Sequence, residues 1–179
     1  MARIALIVAV ALLAVACTAA RDVAPSTTAS VTTSPVTTSP VTTSPVTQGP
    51  LAVPAELAGF TTASIAVGDR ELTVAVAASP AERRQGLMFV TDLGDLEGIV
   101  FTFDAEGRRT FWMKDTVLAL DIAFFDRSGR FVDRLTMDPC DLGDACPSYL
   151  ASGPFQYAVE VPAGGFNWLT GEEVMGFTE

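Results

Sequence analysis

A mainly β domain, an antiparallel β-sandwich or barrel-like sheet with one short helix, is what this sequence predicts. Three observations carry the prediction. Between Gly98 and Asp126, three short runs rich in aromatic and β-branched residues are separated by polar or Gly-containing turns. From Glu71 to Ala77, Leu72, Val74 and Val76 alternate with smaller or polar neighbours at period two. Further short runs recur down the chain at the 8 to 12 residue spacing of sandwiches and barrels.

Taken in order, Ser64 to Val67 and Glu71 to Ala77 flank Gly68-Asp69-Arg70, a separator that suits a tight hairpin turn. Ser79-Pro80-Ala81-Glu82 reads as a helix start, with a Ser cap, Pro at the first helical position and Glu three residues after the cap. The helix is expected to run to about Leu87. It would turn Leu87 and Met88 onto one end of the sheet and Arg83 and Arg84 to solvent. Gly98 to Phe103 is the next strand, expected to pair with Phe111 to Met113 across Ala105-Glu106-Gly107-Arg108. Asp121 to Phe125 should turn at Arg127-Ser128-Gly129 into Arg130 to Met137, and Phe155 to Val161 closes the set before Gly164-Gly165 and Phe166 to Leu169.

The domain, placed at residues 62–179, follows two segments of other composition. Residues 1–16 hold one basic residue, Arg3, and the apolar run from Ile4 to Ala16, shorter than the ~20 residues a spanning helix needs. This is a signal peptide by its pattern. Leu13-Ala14-Val15-Ala16-Cys17 resembles the lipobox of bacterial lipoproteins, which implies lipidation of Cys17; a plain secretory signal with an incidental cysteine is the other reading. Residues 17–61 are expected to be a disordered tether. No charged residue lies between Ala24 and Ala55, and Thr-Thr-Ser-Pro-Val occurs three times in succession from Thr32. Such composition cannot build a core, and at ~3.1 Å per residue it would reach at most about 100 Å. Its hydroxyls suit O-linked sugars or a bare spacer equally.

The whole chain has 179 residues and a formal net charge of −10. From Phe60 onward it carries 19 acidic and 9 basic residues, which excludes the basic footprint of a nucleic-acid or anionic-lipid binder. Membrane contact would come through the lipid alone, on the outer face of the cell membrane. There is no histidine, so Ser-His-Asp and Cys-His catalysis and histidine-bearing metal sites are excluded. No feature asks for a cofactor.

The chemistry-bearing candidates are few. Cys140 and Cys146 are the pair left if Cys17 carries lipid, and in an exported chain they are expected to form a structural disulfide. Asp138, Asp141 and Asp144 lack the alternation of a calcium loop and read as a solvated acidic loop. Trp112, Lys114, Asp115 and Asp121 form the candidate ligand site. Lys114 and Asp121 are expected to be a partly buried pair, and Phe111, Trp112 and Trp168 an aromatic platform or core. Asp121 and Asp126 would lie about 16 Å apart along a straight strand, too far for a catalytic pair, which leaves Asp115 with Asp121.

Glu82 to Met88, Gly98 to Phe103, Phe111-Trp112-Met113-Lys114-Asp115-Thr116, Leu120-Asp121-Ile122, Cys140 with Cys146-Pro147-Ser148-Tyr149, and Tyr157 to Glu160 before Pro162-Ala163-Gly164 follow one another in order. Together they resemble the bacterial and archaeal family called DUF192. The resemblance spans nearly all of Ile65 to Val174. It implies a mainly β, sandwich-like domain with one short helix, and no activity, since the family is named for having none assigned. The resemblance implies that members typically have Arg where Val90 stands, Asn where Asp115 stands and Asp where Glu173 stands.

Two functional expectations follow. The first is a cell-envelope lipoprotein with a binding or accessory role toward an envelope ligand or protein. The second is a carboxylate-dependent hydrolase of envelope glycans or peptides. A pocket with one strongly raised carboxylate pKa near Lys114 would favour the hydrolase; a shallow aromatic surface patch would favour binding.

Overall fold

The computed structural model describes residues 50–178. The signal peptide expected at 1–16, Cys17 and most of the expected tether lie outside them. The fold is mainly β, a seven-stranded sheet curled into a half-barrel beside a two-stranded sheet, with one α-helix.

Strands β1 (Thr61–Val67) and β2 (Arg70–Ala77) form the expected hairpin, paired from Thr61↔Val76 to Val67↔Arg70. Gly68 takes φ +60° at the first turn position, where any Cβ is strained. Helix α1 (Pro80–Gln85) carries the full capping box: the Glu82 N–H donates to Ser79 Oγ, and Ser79 N donates to Glu82 Oε2 at 2.7 Å. These hydrogen bonds, the backbone one from Ser79 first, hold the Glu82 carboxyl below its ordinary pKa. The helix ends at Gln85, short of Leu87, because Gly86 leaves helical geometry at φ +50°. Leu87 is then buried from the following turn. Arg83 does not face solvent: its guanidinium donates to the Thr102 carbonyl at 2.9 Å and to that of Ala78.

The remaining strands are β3 (Gly98–Gly107), β4 (Thr110–Trp112), β5 (Leu120–Phe125), β6 (Phe131–Met137), β7 (Ser148–Leu150), β8 (Phe155–Pro162) and β9 (Met175–Phe177). The large sheet runs β6-β5-β8-β3-β2-β1-β9. Two expectations about pairing are corrected. First, the sheet is not wholly antiparallel, because β2 and β3 are parallel, Val74 opposite Gly98. The 78–97 connection that carries α1 is long enough for such a crossover. Second, Phe111 to Met113 does not pair with Gly98 to Phe103. Both edges of β3 are occupied, by β2 and by β8, so β4 has no edge to join and pairs instead with β7, Phe111 opposite Tyr149.

Two apolar clusters sandwich the large sheet. One joins Leu87, Ile99, Phe101, Met113, Ile122, Phe124 and Phe155, among others; the second joins Ile65, Val74, Val100, Phe125, Val159 and Phe166 with their neighbours. All six residues of β5 are buried. Phe111 folds over the first face, its ring 5.0 Å from that of Phe101 and 5.6 Å from that of Phe124. Trp112 therefore points away from that cluster and is exposed.

The folded body begins before residue 62, where the tether was expected to end. Leu57 is fully buried, Val53 packs on the first cluster, and Ala52 is held at both its N–H and its carbonyl by Asp95.

Candidate functional site

The stretch from the end of β4 into β5 carries the predicted ligand-site residues, and its geometry separates them. Lys114 does not pair with Asp121. Its Nζ donates to Asp144 Oδ1 at 2.5 Å and lies 5.3 Å from the centre of the Trp112 ring. The side chains are 29% and 86% exposed. The bond from Asp144 raises the Lys114 pKa, and the same bond lowers that of Asp144. Solvent screens such a pair, so Lys114→Met is expected to unfold at the wild-type urea midpoint. A clear drop in midpoint would mean that the ammonium supports the fold.

Asp121 lies elsewhere, buried in β5. It accepts from Thr136 Oγ1 at 2.7 Å, Gly164 N at 2.9 Å and Phe166 N at 3.2 Å. It is a structural anchor for the turn after β8. Asp115 and Asp121 are thus not brought together as a carboxylate pair. Trp168 is likewise apart from Trp112: it packs on the second cluster under Arg70, whose guanidinium carbon is 4.5 Å from the ring centre.

Cys140 and Cys146 are joined in a disulfide, as expected. The loop is tied back to the strand end by the Cys140 N–H, which donates to the Thr116 carbonyl. Among the described residues no three His, Cys, Asp or Glu side chains converge on a point where a metal could sit.

These ties shape a cleft of about 540 Å³ lined by Phe89, Asp115, Thr116, Val117, Pro139, Cys140 and Asp141. Its rim is unusual in backbone and in exposure. Phe89 and Asp115 are the two non-glycine residues with positive φ among those described, at 65° and 53°, and Phe89 N donates to the Asp115 carbonyl at 2.8 Å. Each left-handed residue costs roughly 1–2 kcal/mol, least for Asp, and the pair holds an aromatic ring in water: Phe89 is 63% exposed, beside exposed Val117.

Sharing the Thr116 wall is a narrow slot of about 30 Å³, lined at its exposed end by Arg84, Gln85 and Trp112 and at its buried end by Leu87, Met113 and Glu160. Glu160 is 4% exposed, on the central strand β8 between Ile99 of β3 and Ile122 of β5. Gly98 makes this packing possible, since a Cβ there would stand 2.1 Å from the Glu160 carbonyl oxygen. Burial with no compensating charge pushes the Glu160 carboxyl up to about 8. Glu160 and Phe89 were not among the predicted site residues.

The match to the family model DUF192, described as an uncharacterized ACR, covers residues 62–173. The chain belongs to the DUF192 family. No curated protein matches this DUF192 chain. Two crystal structures are similar in fold. One is a protein of unknown function from Novosphingobium aromaticivorans, 26% identical with a TM-score of 0.60, over 70% of this chain and 91% of that one. The other, from Sinorhizobium meliloti, is described as a candidate transcription regulator; it is 22% identical with a TM-score of 0.57, over 66% of this chain and 95% of that one.

The three positions at which the resemblance implies a departure from the family pattern have physical readings in this DUF192 domain. Val90 is fully buried in the first cluster, a place where an arginine would need a partner. Asp115 occupies a left-handed position, which Asp and Asn tolerate best among residues with a Cβ. Glu173 caps a turn, accepting from Thr170 N and Oγ1 and Gly171 N, and these bonds hold its carboxyl down at about 2.

Proposed function

We propose that this protein is a binding or accessory module of the cell envelope, held at the outer face of the membrane by lipid on Cys17, and that its cleft takes an apolar, basic segment of an envelope protein. The observation that carries this reading is the Phe89–Asp115 pair, two residues in the left-handed region that together hold an aromatic ring in solvent, the kind of backbone strain that clusters at functional sites. Charge selects the partner. Asp115 and Asp141 line the cleft, and a chain of net charge −10 attracts cations.

Phe89→Gly is expected to remove the ring and the strain together. The protein should gain about 1 kcal/mol in stability while losing its partner. A photo-crosslinking amino acid at position 89 in whole cells should give one protein adduct, and the same group at exposed Phe177 should not. Identical adducts at both sites, or none at 89, would refute the cleft. Metabolic labelling with a palmitate analogue should mark the wild type and not Cys17→Ala; label on the variant, or on neither, removes the anchor.

The hydrolase reading is favoured by one observation, the raised carboxyl of Glu160 in a cavity that also contains Trp112 and Met113. The slot lining supplies no second carboxylate, which paired-carboxylate glycan hydrolysis requires.

A further inference from the structure

Among the described residues no hydrogen-bond donor meets the Glu160 carboxyl group, which is buried and lines a cavity. Such a group is destabilising unless something enters to meet it. The size of the cavity limits what can enter. About 30 Å³ admits a group the size of one or two water molecules, and excludes a guanidinium, a carboxylate with its hydrogen-bond partners, or a sugar ring. The walls narrow the choice further. Phe101, Phe111 and Trp112 present aromatic surface, and Thr116 Oγ1, which donates to the Lys114 carbonyl, keeps lone pairs free to accept. An acid at the floor, aromatic walls and a free hydroxyl acceptor are the complement of a compact cation with several N–H donors.

We propose that the Glu160 slot is a receptor for a primary ammonium on an alkyl stem, as carried by a lysine side chain, with the ammonium at the Glu160 carboxylate and the stem leaving past Trp112. The inference deepens the binding reading above, naming lysine as the basic residue presented, and rests on it only for the identity of the natural partner.

The charged groups around the slot are consistent with this. From the α1 side, Arg83 and Arg84 line it; the strands on either side of β8 place Ile99 and Ile122 opposite Glu160, and β4 contributes Phe111 and Trp112. Arg83 is engaged with the Ala78 and Thr102 carbonyls, and Arg84 is exposed at the mouth, its guanidinium too large for the cavity. Lys114 is not in the lining and is paired with Asp144. Below pH 8 most of Glu160 carries a proton. Entry of an ammonium then releases that proton to solvent as the ion pair forms, so affinity should rise about tenfold per pH unit up to about pH 8 and level off above it.

The test uses full-length protein and n-butylammonium, followed by isothermal titration and by the Glu160 carboxyl carbon resonance. Binding should tighten about tenfold from pH 6 to pH 7 and move the Glu160 titration to lower pH. Glu160→Gln should bind at least tenfold more weakly and without pH dependence, and Arg84→Ala, which removes a like charge at the mouth, should bind more tightly. Equal affinity for n-butanol or for butyltrimethylammonium overturns the proposal, because neither is a primary ammonium. So does undiminished binding by Glu160→Gln, or weakened binding by Arg84→Ala. Phe177→Ala, at an exposed residue outside both linings, should leave butylammonium affinity unchanged. An adduct at position 89 without butylammonium binding would remove the slot and leave the cleft standing.

Discussion

Between pH 4.5 and pH 8 the domain is expected to lose on the order of 4 kcal/mol of stability through Glu160 alone, and Glu160→Gln is expected to remove that loss. In the unfolded chain this glutamate titrates near its ordinary 4.5, and in the fold at about 8. Within that window the native state holds a proton that the unfolded state has released, so raising the pH favours unfolding at about 1.4 kcal/mol per unit. The contribution is fully present below pH 4.5 and is lost as the pH passes through 8. Gln keeps the shape without the titration, so the variant should be more stable than wild type by roughly 3 kcal/mol at pH 7 and by little at pH 4. Urea midpoints of both proteins across this range check it. A difference that stays constant with pH would mean that Glu160 is solvated in the fold.

The largest expected loss comes from Asp121→Ala, at about 3–5 kcal/mol. The carboxylate is 2% exposed and satisfies two main-chain N–H groups and a threonine hydroxyl. Removing it leaves buried donors with no acceptor, each costing about 1–3 kcal/mol, not fully additive. The Gly164 to Phe166 turn should detach and take fully buried Phe166 out of the second cluster. Asp121→Asn, which retains one acceptor oxygen, should lose less. Urea denaturation measures both; a loss under about 1 kcal/mol for Asp121→Ala would show that the turn holds without the anchor.

What sequence reading recovered was local. The Ser79 capping box, the Gly68 hairpin and the turn before Gly129 are each specified by residues within five positions of one another, and each formed as expected. The pairing of β4 was not legible, because it depends on both edges of β3 being taken by strands far away in sequence. The site failed for the same reason. Nearness along the chain points Asp121 toward Lys114, whereas its partners are 15, 43 and 45 residues away. Tyr157-Ala158-Val159-Glu160-Val161 alternates, and a glutamate in such a strand ordinarily faces water. Only the central place of β8, covered on both faces, makes it a buried acid. Nothing in the residues around Phe89 marks a left-handed phenylalanine.

The place of β8 in the sheet has a further consequence, for when the protein can fold. Strands β1 to β3 and strands β5 and β6 touch in the large sheet only through β8, which is almost the last strand to be made. A nascent chain that stops before Phe155 has two unjoined sheet fragments, each with a bare edge, and no route to the joined sheet. Folding must therefore wait for nearly the whole chain, and the closure of such distant segments is slow compared with forming local hairpins. A chain with this strand order reaches its joined sheet only when its C-terminal segment arrives, so a truncation before Phe155 removes the connection between the two halves and not merely one strand.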